Sequence, residues 1–358
     1  MKVATLAVLA LIAGGVTACG GAGTSSSTSQ TAAKVADPAT VNIGYLTNLT
    51  HAPALIGVAK GFFQSHLPSG TTLQATTFSA GPAESEALLG GALDAAFVGP
   101  SPAISAFTKT KGGVVIIAGA AYGGAGLVVS QSIAAGNFPQ DLKGQTLASP
   151  QLGNTQDVAL RTWLAQQGLT TNVNGGGAVN IDATSGNSVD LQRFEAGQIV
   201  GGWEPEPYES QYVISGHGKL VVDEASLWPA GRFPTTELVV TKTLLSQHPD
   251  IVTDLLKGLL ESLSWIEGNP SSAPAAANAS LAAISGSQPL SSAVLTLAWS
   301  HLSFTDDPLA SALQTDANHA KQLGLIKSSN LKGIVDAQPV NAVLRSTGRA
   351  TVSDAGLG

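Results

Sequence analysis

Val41-Asn42-Ile43-Gly44-Tyr45-Leu46-Thr47-Asn48-Leu49-Thr50-His51-Ala52-Pro53-Ala54-Leu55 is the stretch on which the fold turns. Its first six residues alternate like a strand, Thr47 to His51 is polar, and Pro53 stands in the first turn of a helix running through Leu55 and Val58 to Phe62-Phe63. The same alternation then recurs. Thr72 to Phe78 reads as a strand, Pro82 to Gly90 as a helix, Ala95 to Val98 as a strand, Ala103 to Thr108 as a helix and Val114 to Gly119 as an apolar strand. Strands alternating with helices imply crossover units, a mainly parallel sheet and an α/β lobe.

A second round follows. Leu127-Val128-Val129, Thr146-Leu147-Ala148, Val179 to Ala183 and Ile199 to Trp203 read as strands, with helices opening at Gly153-Asn154-Thr155 and spanning Val189 to Glu195. The segments Pro82…Phe97 and Ser188…Trp203 superpose at a constant offset of 106 residues, so two similar lobes are expected. From Thr243 the texture is helical, with Leu255-Leu256…Leu259-Leu260…Leu263 forming an apolar stripe. These helices are expected to pack back on the first lobe. The expected division is residues 38–122 plus 238–346 for lobe one, 123–237 for lobe two and 347–358 for a C-terminal tail. The chain then crosses between lobes twice, near Ala120 to Gly126 and near Ala230 to Leu238, which makes a hinge and a cleft.

The N-terminus carries a different message. Met1-Lys2 followed by an apolar run from Val3 to Val16 has the length of an export signal and is too short to span a bilayer. The run closes on Val16-Thr17-Ala18-Cys19, which resembles the bacterial lipobox, so residues 1–18 read as a lipoprotein signal peptide and Cys19 as the lipidated residue. Cys19 is the single cysteine of the 358 residues, which excludes an intrachain disulfide and a cysteine-based zinc site. Residues 19–37 are Gly, Ser, Thr and Ala with almost no apolar bulk, the composition of a flexible tether.

Charge excludes further classes. The formal net charge is −7, and no basic run occurs, so nucleic-acid binding is not expected. No His pair has zinc spacing on one helix, no G-x-S-x-G elbow exists, and Gly175-Gly176-Gly177 lacks the Lys of a phosphate loop. Glu204 and Glu206 are separated by Pro205, and their side chains should diverge rather than share acid/base work. No catalytic residue, metal site or cofactor is expected.

Candidate binding residues lie where open α/β sheets bind ligands, beyond the carboxyl ends of strands and at helix N-termini. Lobe one offers Asn48, Thr50, His51, Gly99 and Ser101; lobe two offers Gly153, Asn154, Thr155, Trp203 and Glu204; Tyr122 marks the first crossing. Asn48, Thr50, Asn154 and Thr155 are also N-cap types, and either role suits them. Trp203 is either a core residue or an aromatic wall, and Glu204 either a ligand partner or a cap.

Gly44-Tyr45-Leu46…His51-Ala52-Pro53…Ala59-Lys60-Gly61-Phe62-Phe63, Asp141-Leu142-Lys143-Gly144-Gln145 with Gly153-Asn154-Thr155, and Trp203-Glu204-Pro205 together resemble bacterial ABC-transporter substrate-binding proteins of the sulfonate/nitrate/taurine class, which also includes thiamine-pyrimidine-precursor binders. The resemblance runs from about Pro38 to Arg345. It departs at Val200, where the family's pattern has Asp, while Gly91-Ala92-Leu93-Asp94 keeps it. It implies a two-lobed, type II periplasmic-binding-protein-like α/β fold. It further implies a monomeric, non-enzymatic lipoprotein outside the cytoplasmic membrane that hands a small organic anion to an ABC permease. Alternatives are a binder of a neutral or cationic heteroaromatic, a ligand-sensing receptor, and an enzyme on the same fold. Lobe two carries eleven acidic and five basic residues, and none of the four strand-end loops, Thr47 to His51, Gly99 to Ser101, Gly153 to Gln156 and Trp203 to Glu204, holds Lys or Arg, so an anion there must be held by backbone N–H groups and hydroxyls.

Overall fold

Two mixed sheets share one wiring. In the first, β1 (Thr40–Leu46) is flanked by parallel β2 (Thr72–Phe78) and β3 (Ala95–Val98). In the second, β6 (Thr146–Ala148) is flanked by parallel β7 (Asn180–Asp182) and β8 (Gly201–Pro205). The coordinates are a computed structural model that describes residues 36–184 and 186–358. The expected signal peptide, the lipidation at Cys19 and nearly all of the tether lie outside the described residues.

Each sheet continues through one antiparallel strand. β10 (Pro234–Thr241) sits between β3 and β4 (Val114–Gly123), and β5 (Ala125–Val129) sits between β8 and β9 (Lys219–Asp223). A short β11 (Leu302–Phe304) closes the first sheet against β4. The expectation of mainly parallel sheets is therefore corrected to mixed ones, because each sheet takes in one crossing strand, β5 on the way out and β10 on the way back, antiparallel to its neighbours. Repetition is close. β1 and β6 begin 106 residues apart, as do β3 and β8.

Helices occupy the crossovers in chain order: α1 (Ala52–Ala59), α2 (Phe62–His66), α3 (Gly81–Leu89), α4 (Pro100–Thr110), α5 (Gln131–Ala135), α6 (Thr155–Gln166), α7 (Asn187–Glu195) and α8 (Tyr208–Ile214). The α3 and α7 helices begin and end 106 residues apart. After β10 come α9 (Lys242–Gln247), α10 (Pro249–Gly268), α11 (Ala273–Ser285), α12 (Ser292–His301), α13 (Ala310–Gln322) and α14 (Gln338–Ser346).

Burial explains the layers. β3 and most of β4 are apolar on both faces and buried on both, as strands covered by helices must be. The Leu255, Leu256, Leu259 and Leu263 stripe of α10 packs with Phe63, Leu55 and Ile43 in the largest core. Close approach there depends on Gly258, where a Cβ would lie 2.6 Å from the Phe63 ring. The second lobe has its own core of Leu127, Leu147, Leu160, Trp163 and Trp203. No helix among the described residues is long and apolar enough to cross a membrane.

The 106-residue spacing pairs Asp94 with Val200. Asp94 Oδ2 accepts from the Asn42 N–H at 2.8 Å and from its side-chain amide at 3.1 Å, tying the start of β3 to β1. Val200 has no carboxylate to make that side-chain tie, and it is joined to β6 through its main chain, Val200 N–H to Thr146 O at 3.0 Å.

Candidate functional site

The carboxyl ends of β1 and β3 in one lobe face the N-terminus of α6 in the other, around a cavity of about 10 Å³. Asn48, Thr50, His51, Gly99, Asn154 and Thr155 line it. This is the room that about one water needs, so the lobes are closed on each other. Three helices point their N-termini at this space: α1, α4 and α6, whose N-cap residues are His51, Gly99 and Asn154. None of the three is capped by a side chain. N–H groups at such ends carry partial positive charge, but the Ala52 N–H already donates to Leu49 O and Pro53, Pro100 and Pro102 have none, so α6 is the one of the three whose first turn lacks proline.

The polar side chains are tied to one another and to the backbone. Thr50 Oγ1 donates to Asn48 Oδ1 at 2.6 Å, and the Leu46 N–H donates to His51 Nδ1 at 3.2 Å. Burial pushes the His51 imidazole down to about 3, so the ring is neutral. With Nδ1 accepting, its proton sits on Nε2. Neither ring nitrogen is free to take a proton from a hydroxyl, which removes a general base from the cavity.

From the other lobe, Asn154 Nδ2 donates to Gln156 Oε1 at 2.6 Å, while Asn154 Oδ1 accepts from the Gly81 N–H at 3.1 Å across the cleft. A second cross-lobe bond joins Leu49 N–H to Glu206 O at 2.9 Å. Three buried polar atoms at the cavity have no partner: Thr155 Oγ1, Thr235 Oγ1 and Asn187 Oδ1. Buried unpaired groups of this kind cost free energy unless a ligand meets them. No Lys or Arg lines the cavity.

The remaining candidates lie elsewhere. Ser101 and Gly153 line an adjoining groove of about 630 Å³ between the lobes, and Ser101 Oγ donates to Asp316 at 2.8 Å. Tyr122 is half-buried on β4 beneath the Arg232 guanidinium, 5.6 Å from its ring. Trp203 is wholly buried against Trp163 and donates from Nε1 to Glu224 at 2.9 Å. Glu204 is also wholly buried, close to Tyr212 and Asp190. Gln156, at the end of the expected 153–156 loop, also lines the cavity, and Asn187 and Thr235 line it without having been anticipated. Asn187 opens α7, a helix start with the same polar signal as Asn154; Thr235 stands in a segment read as a crossing.

Glu204 and Glu206 do diverge. Glu206 Oε1 meets His301 Nδ1 at 2.8 Å, and Glu209 Oε1 meets the same nitrogen at 2.9 Å, linking α12 to the second lobe beside the Gly123-Gly124 crossing. These carboxylates hold the His301 imidazole up at about 10, so it is charged at neutral pH.

Burial shapes the pH response. It pushes Glu84, Glu204 and Glu237 well above the usual carboxylate range and Glu224 to about 8. A carboxyl raised in this way is protonated in the fold and ionised in the unfolded chain, so its stabilisation is lost as pH rises toward its folded value. His301, raised by its partners, likewise loses its contribution as pH rises from about 6.5 toward about 10. His51 acts oppositely, but only below about 6.5. Unfolding free energy should therefore fall between pH 6.5 and 8.5, by about 1.4 kcal/mol per pH unit for each differing proton. Urea unfolding at the two pH values measures it, and Glu237→Gln should flatten the slope. Rising stability over that interval would contradict the assignment.

Residues 34–283 match the NMT1-like family. No curated protein sequence matches the chain. Among solved structures it is similar to the alkanesulfonate-binding protein SsuA from Xanthomonas axonopodis pv. citri bound to MOPS, at 19% identity and a TM-score of 0.67, covering 82% of this chain and 96% of that one. It is also similar to the periplasmic nitrate-binding protein NrtA from Synechocystis PCC 6803, at 16% identity and a TM-score of 0.68, covering 86% and 89%. The periplasmic aliphatic sulphonate binding protein SsuA from Escherichia coli shares 19% identity and a TM-score of 0.63, covering 85% and 92%. The shared architecture is the two-lobed periplasmic-binding-protein fold. With the family match spanning well over half its length, the chain belongs to the NMT1-like family.

Proposed function

We propose that this chain is the extracytoplasmic solute-binding component of an ABC importer, closing its lobes on a small oxyanion such as an aliphatic sulfonate, taurine or nitrate and delivering it to the permease. The observation that carries this reading is the cavity between the lobes. It is lined by hydroxyls, amides and a neutral imidazole, faces three uncapped helix N-termini, and holds the unpartnered Thr155 and Thr235 hydroxyls. A diffuse anion is held well by such donors without a positive side chain. Asn48, Thr50, His51, Gly99, Asn154 and Thr155 form its binding set, and because the cavity is only about 10 Å³, room for about one water, the lobes must stand further apart around a bound oxyanion than they do in this structure. Anchoring through a lipidated Cys19 as a monomer keeps the lobes near the permease.

Thermal unfolding of the mature chain with taurine, ethanesulfonate and nitrate tests the reading. A bound member present at about 100 Kd should add about 2.7 kcal/mol, and Asn154→Ala should remove most of that gain. If no member of the panel stabilises the protein, the oxyanion reading fails.

A further inference from the structure

Asp316, which accepts the Ser101 hydroxyl bond, also lines a second cavity of about 300 Å³ between the lobes. α13 supplies Asp316 and His319 from one side; Trp163 of α6, with Glu224 and Trp228 from the segment after β9, supplies the other.

This cavity is acidic and aromatic. Glu224 is buried to 3% exposure; its Oε2 accepts from the Trp203 Nε1–H at 2.9 Å, and its Oε1, also buried, has no partner. Asp316 is buried to 2%. Next to it stands Glu237 of β10, wholly buried with both oxygens unpartnered. No Lys or Arg lines the cavity, and burial lowers the His319 imidazole below its ordinary range, so no cation answers the three acids. Burial first, with the neighbouring Asp316, Asp223 and Glu209 adding to it, holds Glu224 up at about 8, and burial holds Asp316 at about 7.

Ligand size follows from spacing. The three carboxylates do not gather within the 4.8 Å that one metal ion would need, whereas His301, Glu206 and Glu209 do. A larger cation fits. Trp228 is fixed as a platform by stacking on Phe233 at 4.1 Å, and Trp163 is fixed between Phe138 and Trp203. Two rigid indoles beside buried carboxyls, which an entering cation draws to their ionised form, are the chemistry that recognises an organic ammonium.

We propose that this crevice is a second binding site, separate from the oxyanion cavity, for an alkyl or aryl ammonium ion whose nitrogen lies between Glu224 and Asp316 and whose apolar body lies against Trp163 and Trp228. Because the two acids belong to different lobes, such a ligand bridges them and favours the closed state. The Ser101–Asp316 bond places the site next to α4, the helix whose N-terminus faces the oxyanion cavity.

Calorimetric titration of the mature chain at pH 8 with benzylamine, which is cationic there, against its neutral isostere benzyl alcohol tests the proposal. The ammonium should bind about tenfold or more tighter than the alcohol. Glu224→Gln should erase that difference, and Trp228→Leu should weaken both ligands. Circular dichroism checks that the variants fold, and taurine or nitrate stabilisation in Glu224→Gln reports the oxyanion site separately. Equal binding of the amine and the alcohol, no binding of either, or unchanged discrimination in Glu224→Gln would each overturn it. A misfolded Glu224→Gln leaves the wild-type comparison and Trp228→Leu to decide.

Discussion

Arg161→Met is expected to lower the unfolding free energy by about 3–5 kcal/mol, the cost of leaving a buried charge without its partner. Arg161 and Asp157 are both essentially fully buried on α6, with Nε–Oδ1 at 2.8 Å, and a second guanidinium nitrogen donates to Asn172 O at 2.9 Å. Asp157 does more than pair. Its Oδ1 also accepts from Ser149 Oγ at 3.0 Å and its Oδ2 from the Gly153 N–H at 2.9 Å, so one carboxylate joins the end of β6 to the loop that precedes Asn154 and Thr155. Loss of the guanidinium should therefore loosen the second lobe and weaken ligand binding together. Urea unfolding with a binding titration checks both, and the double variant Arg161→Met/Asp157→Asn should recover part of the stability by removing the orphaned charge. A loss under about 1 kcal/mol would show that the pair is replaceable.

Gly99→Ala should weaken ligand binding about 5–150-fold while leaving the lobes themselves folded. The backbone at Gly99 has φ −69° and ψ 159°, ordinary for alanine, so the substitution carries no local strain. Its effect is across the cleft, where a Cβ would stand 2.4 Å from Thr155 Oγ1. Overpacking of this kind costs about 1–3 kcal/mol, and it is relieved when the lobes part, so the penalty falls on the closed state. Small-angle scattering with saturating ligand would show a less compact particle than wild type. Unchanged affinity and unchanged compaction would refute closure at this contact.

Much of the cleft was legible because it is local. A strand that ends in polar residues before a helix places those residues at the sheet's carboxyl edge, and the segments at Asn48, Thr50 and His51, at Gly99, and at Asn154 and Thr155 all carry that pattern. The 106-residue repeat was equally visible because both lobes use the same order of apolar runs. Trp203 and Glu204 show where this logic stops. Side chains alternate across a strand, so one of the two had to face each side of the second sheet, but only packing decides which. Trp203 went into the core with Trp163, and Glu204 toward Tyr212.

The sequence alone determined the α/β class and the recurring strand–helix order of two lobes, and it placed the uncharged polar residues that line the small cavity, since each follows from short-range periodicity and residue type. Tertiary structure decided what depends on distant pairing. β10 returns from the second lobe and threads antiparallel between β3 and β4, bringing Thr235 to the cavity and Thr236 Oγ1 within 3.0 Å of Thr50 O, 186 residues away. No local pattern encodes such a contact, because it forms only when a strand from far along the chain is buried between β3 and β4, and the same convergence gathered Glu224 and Asp316 on one cavity, with Glu237 beside them, and no Lys or Arg lining it.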